Sequence, residues 1–315
     1  DAFKAHGEEW GRKPSDTGLI AHNRYNNDEF GAQMCLKSGW LDQLKTNVDT
    51  VLKNHRLDGV YYDWSVGLFC ANPLHMGKKT PMAAKPDAMG TLALGPDGHW
   101  DIDELVAFME WTRERVGPGG LIIVHNTMAP MFATENFADY VVATEWGYRK
   151  WTDRAPDMQD LPLEWNLAGA LPRGVISYGT IDKNAPRRLH RLFALEAFLG
   201  GSTPWPASEE TFALVPLLKP LGDIGSYRFA DWRNQAVALS DARCASAVYS
   251  RAGESYLLLA NLDQTPREVT CVLHPEKLPH PLPQPATARR LSTPTASSGK
   301  PTEGRFKYLD RNARA

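Results

Sequence analysis

Two acidic residues, Asp63 and Glu145, each follow an apolar run and precede a tryptophan, Trp64 and Trp146. A carboxylate after a buried strand is costly unless it faces a cleft or a partner, so both residues are candidates for chemistry. Two carboxylates in different surroundings can cleave a glycosidic bond, because one stays ionised while the other carries a proton. Asp63 and Glu145 are therefore candidates for such a pair of carboxylates.

Other polar and aromatic residues collect near the same predicted strand ends. His125 and Asn126 end a run that lies between the two carboxylates in the sequence, and Tyr178 ends a later one. We predict a substrate site lined by Tyr62, Trp64, His125, Asn126, Trp146 and Tyr178. Two plainer interpretations stay open, namely a strand-end hydrogen-bond network for His125 and Asn126 and core packing for the tryptophans.

The elements that must position these residues alternate along the chain. Apolar runs predict strands at 58–63, 121–125, 140–145, 174–178 and, more briefly, 202–206. Helical spacing of apolar residues predicts helices at 40–55, 102–116, 186–199 and 208–220. Repeated strand–helix units with polar residues at the strand ends predict an α/β fold, either a (β/α)8 barrel or a doubly wound sheet. No Gly-x-Gly-x-x-Gly follows a strand, which disfavours a dinucleotide-binding fold.

The regions around these units differ in composition. Residues 1–33 are polar and rich in turn formers, which predicts loops with one short strand at 19–21. Asp101 and Glu104 match a helix capping box. Alternating apolar patterns after residue 226 predict antiparallel strands at 235–239, 245–250, 256–260 and 269–273. We predict three regions: a partial barrel at 1–228, a small β-domain at 229–278, and a tail rich in Pro, Ser and Thr at 279–315.

Composition excludes several classes of partner. The net charge of −2 gives no electrostatic basis for binding nucleic acid, and no apolar run has the length of a membrane span. The four cysteines form no Cys-x-x-Cys pattern, which favours buried free thiols. Cys70 and His75 suggest a metal, but no third ligand stands at a suitable spacing, so we expect neither a metal nor a cofactor. Compartment and oligomeric state stay open.

The order of these segments resembles one family of enzymes. The helix, the strand Asp58-Gly59-Val60-Tyr61-Tyr62-Asp63-Trp64, the His-Asn strand, the Thr-Glu-Trp strand and a C-terminal β-domain resemble bacterial glycoside hydrolases of the α-galactosidase (melibiase) type. The resemblance implies a (β/α)8 barrel, here without its first strands, followed by a β-sandwich. It also implies an Asp nucleophile after strand four and an acid/base carboxylate after strand six, which are Asp63 and Glu145 in this chain.

The chain departs from that family at two points. The Lys-x-Asp that precedes many of these nucleophiles is Tyr61-Tyr62-Asp63 here, and the acid/base residue is Glu rather than Asp. The expected substrate is an oligosaccharide or glycoside. Two other interpretations stay open: a carbohydrate-binding relative without turnover, and a metal-dependent hydrolase on the same barrel.

Overall fold

The structure is a computed structural model that describes most of the chain. The described residues are 2–14, 18–24, 30–75, 83–86, 92–94, 98–125, 131–143, 145, 165, 168, 173–179, 181, 184–205, 209–212, 219–222, 224–263 and 265–282. Two compact units, Asp1–Val141 and Val142–Ala315, make up the chain. The division of the chain into the regions 1–228, 229–278 and 279–315 stays a prediction.

The elements of the first unit are mixed helices and strands. The helices are α1 (Ala2–Trp10), α2 (Trp40–Asn54), α3 (Ile102–Val116) and α4 (Phe132–Glu135). The strands are β1 (His22–Arg24), β2 (Phe30–Ala32), β3 (Gly59–Asp63), β4 (Phe69–Cys70), β5 (Ala83–Pro86), β6 (Leu92–Leu94), β7 (His99–Trp100) and β8 (Leu121–His125). The division between the units falls within β9 (Tyr140–Val142).

The parallel pair β3–β8 is the framework of the first unit. The two strands align so that Gly59 lies opposite Leu121 and Asp63 opposite His125. A Cβ on Gly59 would lie 2.0 Å from the carbonyl oxygen of Leu121, so only glycine permits this close approach. The core beside the strands is formed by the buried residues Met109, Ile122, Val124, Ala138 and Val141.

Helices α2 and α3 are confirmed where the apolar spacing predicts them. Helix α3 buries Leu105, Phe108 and Met109, as the one-sided apolar pattern requires. The predicted capping box is wrong, because no side-chain hydrogen bond caps this helix. Asp101 instead accepts hydrogen bonds from the amides of Leu36 at 3.3 Å and Leu68 at 2.6 Å, and is 2 % exposed.

The N-terminal region was predicted to form loops, but it contains a helix. Residues 2–10 form helix α1, in which the ring of His6 stacks on Trp10 with centroids 4.1 Å apart. The predicted strand at 19–21 is wrong; β1 begins at His22 and pairs antiparallel with β2. The polar composition of α1 concealed it, because only one side of this helix is buried and its apolar residues are few.

The elements of the second unit continue the alternation and then change to strands. They are β10 (Gly174–Ser177), α5 (Arg187–Gly200), β11 (Thr203–Pro204), α6 (Glu209–Phe212), β12 (Arg228–Ala230), β13 (Val237–Leu239), β14 (Cys244–Arg251), β15 (Glu254–Asn261) and β16 (Cys271–Leu273). Short 3-10 turns cover Lys219–Leu221, Ile224–Ser226, Trp232–Asn234 and Pro275–Lys277. Of the predicted helix 208–220, residues 213–218 lie outside the described residues.

The parallel sheet has five strands in the order β11-β10-β9-β8-β3. The apolar runs at 58–63, 121–125, 140–145 and 174–178 are thus confirmed as sites of adjacent parallel strands. An eight-stranded barrel needs further strands in one closed sheet, and the described residues contribute five, so the barrel stays a prediction.

The antiparallel strands of the second unit are confirmed as well. They form a β12-β14-β15 sheet and a β13-β16 pair. Ala247 of β14 and Ala260 of β15 share a core with Val175 of β10 and Phe193 of α5. The Tyr249 hydroxyl donates to the carbonyl of Phe198 at 3.1 Å, which ties β14 to the end of α5. Among the described helices, none has both the length and the apolar character needed to cross a bilayer.

Candidate functional site

Asp63 is the last residue of β3, and its side chain is 59 % exposed. Its Oδ1 accepts a hydrogen bond from the amide of Trp64 at 2.9 Å. Trp64 has a φ of 55°, which costs a residue other than glycine about 1–2 kcal/mol. Strain of this kind concentrates at functional sites, where surrounding contacts maintain it. The turn after β3 therefore holds a solvent-facing carboxylate in a fixed position.

His125 lies next to Asp63 because the two residues are opposite each other in the β3–β8 pairing. Its Nδ1 is 3.1 Å from Asp63 Oδ1 and 3.0 Å from the Tyr61 hydroxyl. An ionised carboxylate only accepts hydrogen bonds, so this geometry assigns a hydrogen to Nδ1. The imidazole side chain is 5 % exposed, so it supports the carboxylate from the buried side.

Tyr62 and Tyr61 occupy opposite faces of β3, since side chains alternate along a strand. Tyr62 packs on Phe108 with ring centroids 5.2 Å apart, and its hydroxyl lies 3.1 Å from Thr112 Oγ1. Burial raises the pKa of Tyr62, although the hydrogen bond to Thr112 opposes this. The structure does not bring Tyr62 to Asp63. Tyr61 stands there instead, and the period of two could have identified it from the sequence.

The loop after Asp63 is anchored by buried hydroxyl groups. Ser65 donates from Oγ to the carbonyl of Tyr62 at 3.1 Å, and its own carbonyl accepts from Thr134 Oγ1 at 2.8 Å. The amide of Gly67 contacts Met131 Sδ at 3.2 Å. Ser65 and Thr134 are both buried, so these contacts fix the backbone that carries Trp64.

The second unit contains the other predicted site residues that the structure describes. Glu145 follows β9 and is exposed. Tyr178 follows β10 and packs against Trp205 with ring centroids 5.2 Å apart, and the Trp205 amide donates to the carbonyl of Ser177 at 2.7 Å. Two aromatic rings thus lie together after β10 and β11. Asn126 and Trp146 lie outside the described residues.

A cleft in the first unit lies at the other end of β3. It is lined by Leu52, Leu57, Asp58, Arg115, Val116, Gly119 and Gly120. Asp58 precedes β3 and Gly120 precedes β8, so this cleft is at the amino ends of the parallel strands. Catalytic residues of such sheets lie at the carboxyl ends, so the cleft is separate from the candidate site.

Cys35, Cys70 and His99 form a second group of polar side chains. One ligand-type atom from each lies within 4.8 Å of the others. Cys70 stands opposite His99 in the β4–β7 pairing, and Cys35 Sγ is 3.3 Å from His99 Nε2. Cys35 and Cys70 are both 0 % exposed. No pattern in the sequence identified His99, because only the pairing of two short strands brings His99 to the cysteines.

His75 extends this group. Its Nδ1 is 3.4 Å from Cys70 Sγ, and its Nε2 contacts the carbonyl of Glu9. The hydrogen bond with Cys35 lowers the pKa of the Cys70 thiol against the effect of burial, and raises the pKa of Cys35. Burial lowers the pKa of His99. Thiol and imidazole groups of this kind are ligands for a soft or borderline metal ion.

No protein-family model matches the chain, and no curated protein gives a significant match. The resemblance to glycoside hydrolases of the α-galactosidase type therefore rests on the order of the segments in the sequence and stays a prediction. The geometry around Asp63 is independent of that resemblance.

Proposed function

We propose that this chain is a retaining glycoside hydrolase that acts on an oligosaccharide or glycoside, with Asp63 as nucleophile and Glu145 as general acid and base. The observation that carries the proposal is the exposed Asp63 carboxylate at the carboxyl end of a parallel strand, held by the Trp64 amide and by His125. The proposed architecture is a (β/α)8 barrel followed by a C-terminal β-sandwich.

The contacts of Asp63 suit a nucleophile. Both the Trp64 amide and His125 Nδ1 engage Oδ1, and among the described residues neither contact uses Oδ2. Two donors on one oxygen fix the orientation of the carboxylate. Oδ2 can then attack the anomeric carbon of a sugar, while the bond to the leaving oxygen breaks and that oxygen takes a proton from Glu145.

The second step restores the protein. Glu145, now ionised, takes a proton from water as the water oxygen attacks the anomeric carbon and displaces Asp63. Two displacements at one carbon retain its configuration. The separation that this mechanism requires between the two carboxyl groups is about 5–5.5 Å. The pairing of Asp63 with Glu145 rests on their places after parallel strands in the sequence.

Aromatic side chains around Asp63 support a carbohydrate substrate. Tyr61 is 48 % exposed and Trp64 is 37 % exposed. An amphipathic ring that is partly open to solvent beside a carboxylate can stack on the apolar face of a sugar and bond its hydroxyls. The Tyr178–Trp205 pair in the second unit has the same character.

The test is hydrolysis by the purified chain of a panel of activated aryl glycosides, beginning with an α-galactoside. We expect Asp63→Asn to lower kcat by about 10⁴-fold or more. Asp58→Asn is the matched control, because Asp58 is an exposed aspartate at the opposite end of β3. Glu145→Ala should regain activity with azide and yield a glycosyl azide of retained configuration.

Two results would contradict the proposal. If Asp63→Asn hydrolyses the best substrate as fast as the Asp58→Asn control, Asp63 is not the nucleophile. If sugars bind to the wild-type chain but no glycoside in the panel is cleaved, the chain is a carbohydrate-binding protein without turnover.

A further inference from the structure

We propose that Cys35, Cys70, His75 and His99 bind one zinc ion, and that this ion joins three segments of the first unit, namely the turn after β2, the stretch from β4 to His75, and β7. The three residues Cys35, Cys70 and His99 supply the close-set ligand atoms, and His75 supplies the fourth nitrogen through its contact with Cys70. The site is distinct from the carboxylate site at Asp63 and does not depend on the glycosidase proposal.

The distances fit a tetrahedral ion. Zinc–sulfur bonds of about 2.3 Å and zinc–nitrogen bonds of about 2.0–2.1 Å at the tetrahedral angle place sulfur and nitrogen ligands about 3.6 Å apart. Cys35 Sγ and His99 Nε2 are 3.3 Å apart, and Cys70 Sγ and His75 Nδ1 are 3.4 Å apart. The ligand atoms of Cys35, Cys70 and His99 already lie within 4.8 Å of one another, and His75 adjoins them through Cys70, so ion binding would draw the His75 ring towards the other three ligands.

The hydrogen bond of His75 prepares its ring for a metal. A carbonyl oxygen only accepts, so the contact with Glu9 assigns the hydrogen to Nε2. In the neutral ring Nδ1 then carries a free lone pair, and it points at Cys70. Metal-binding histidines commonly use this arrangement, in which the second ring nitrogen donates to a backbone carbonyl.

His99 adds a second observation. Its Nδ1 is buried and has no hydrogen-bond partner among the described residues. Its Nε2 is the nitrogen that faces Cys35 Sγ at 3.3 Å, so Nε2 would bind the ion and Nδ1 would carry the ring hydrogen.

The ligand set and its burial select the ion and its role. Two thiolates and two imidazoles are the ligands of structural zinc sites. Both cysteines are completely buried, His75 is 6 % exposed and His99 is half-buried. Four protein ligands fill a tetrahedral zinc ion, so no position stays open for substrate or water. The Cys35 amide donates to the carbonyl of Trp10 at 2.9 Å, so the site also fixes the end of α1. We infer a structural ion that stabilises the first unit.

The experiment measures metal in the full chain purified under reducing conditions. We expect about one zinc per chain by elemental mass spectrometry. After removal by a chelator, refilling with Co²⁺ should give a thiolate charge-transfer band and the intense visible bands of a tetrahedral site. Cys35→Ser and Cys70→Ser should lose both signals. Cys244→Ser and Cys271→Ser are the matched controls and should keep them, because these cysteines lie in the antiparallel strands β14 and β16 of the second unit.

A second measurement uses the wild-type chain, because a cysteine variant that fails to fold would also lose the metal signals. Bound zinc should slow alkylation of Cys35 and Cys70, mapped by peptide mass, and leave alkylation of Cys244 and Cys271 unchanged. The proposal is overturned if the reduced wild-type chain takes up neither zinc nor cobalt, or if zinc protects none of the cysteines. Isolation of the chain with a Cys35–Cys70 disulfide that reduction does not convert to a metal-binding form would overturn it as well.

Discussion

Replacing Asp101 by alanine should destabilise the first unit far more than a surface acid in the same helix turn. The Asp101 carboxylate is buried and accepts from two backbone amides, those of Leu36 and Leu68. These amides lie in different loops, one next to Cys35 and one in the segment that follows Asp63. The variant Asp101→Ala leaves both donors without their partner.

The magnitude follows from the two bonds. A buried donor that loses its partner costs about 1–3 kcal/mol. The bond to Leu68 is 2.6 Å long, so we assign it about 2 kcal/mol, and the 3.3 Å bond to Leu36 about 1 kcal/mol. Burial raises the pKa of Asp101, so the carboxylate itself carries a desolvation cost, which keeps the net loss below the upper end of this range. The expected loss is about 3 kcal/mol, or about a hundredfold in an opening equilibrium.

Amide hydrogen exchange measures this loss locally. We expect exchange at Leu36 and Leu68 to accelerate about a hundredfold in Asp101→Ala, on the same estimate of two lost bonds. Asp101→Asn should lie between the variant and the wild type, because its one carbonyl oxygen still accepts. Asp103→Ala is the control: Asp103 is exposed in the first turn of α3 and its removal should cost under about 1 kcal/mol.

Equal protection of both amides in Asp101→Ala and Asp103→Ala would refute the reasoning. It would mean that the two amides find other acceptors at little cost, and that Asp101 is not what holds the loops around Cys35 and after Asp63.

Burial alone would raise the pKa of Asp139, but the hydrogen bond from Arg113 at 2.6 Å holds that pKa below its ordinary value of 3.8. The stabilisation from this pair is therefore present above about pH 3.8 and is lost as pH falls through the folded pKa. In Arg113→Met, the urea unfolding midpoint should fall less steeply with decreasing pH than it does in the wild-type chain. An equally steep fall would contradict a contribution from this ion pair. Tyr249→Phe removes the bond to the carbonyl of Phe198 and should cost about 1 kcal/mol in urea unfolding. Tyr140→Phe, at an exposed ring, should cost almost nothing; equal losses would show that the buried hydroxyl contributes little.

The sequence was sufficient for elements whose signal is local. The apolar runs at β3 and β8 and the one-sided pattern of α3 are complete within a few residues, and their bounds agree closely with the structure. The position of Asp63 at the end of β3 was also predictable from the local sequence. Helix α1 was missed because its polar residues outnumber the apolar residues that pack.

The contacts that were missed join residues far apart in the chain. Asp101 matches a local capping pattern, yet its carboxylate bonds to Leu36 and Leu68. His99 reaches Cys35 and Cys70 only through the pairing of β4 with β7. No spacing rule along one sequence contains such pairings, because their free energy comes from burying short strands that have little preference of their own.

The short ladder between β4 and β7 determines where chain length can change. Cys70 pairs with His99, so both ends of the segment 71–98 are held side by side, and β5 and β6 inside it pair with each other. The entropy of closing a loop rises by only about 0.6 kcal/mol for each doubling of its length. Insertions beyond His75 in this segment are therefore inexpensive, and evolution can lengthen or shorten the first unit there without moving the strand that carries Asp63.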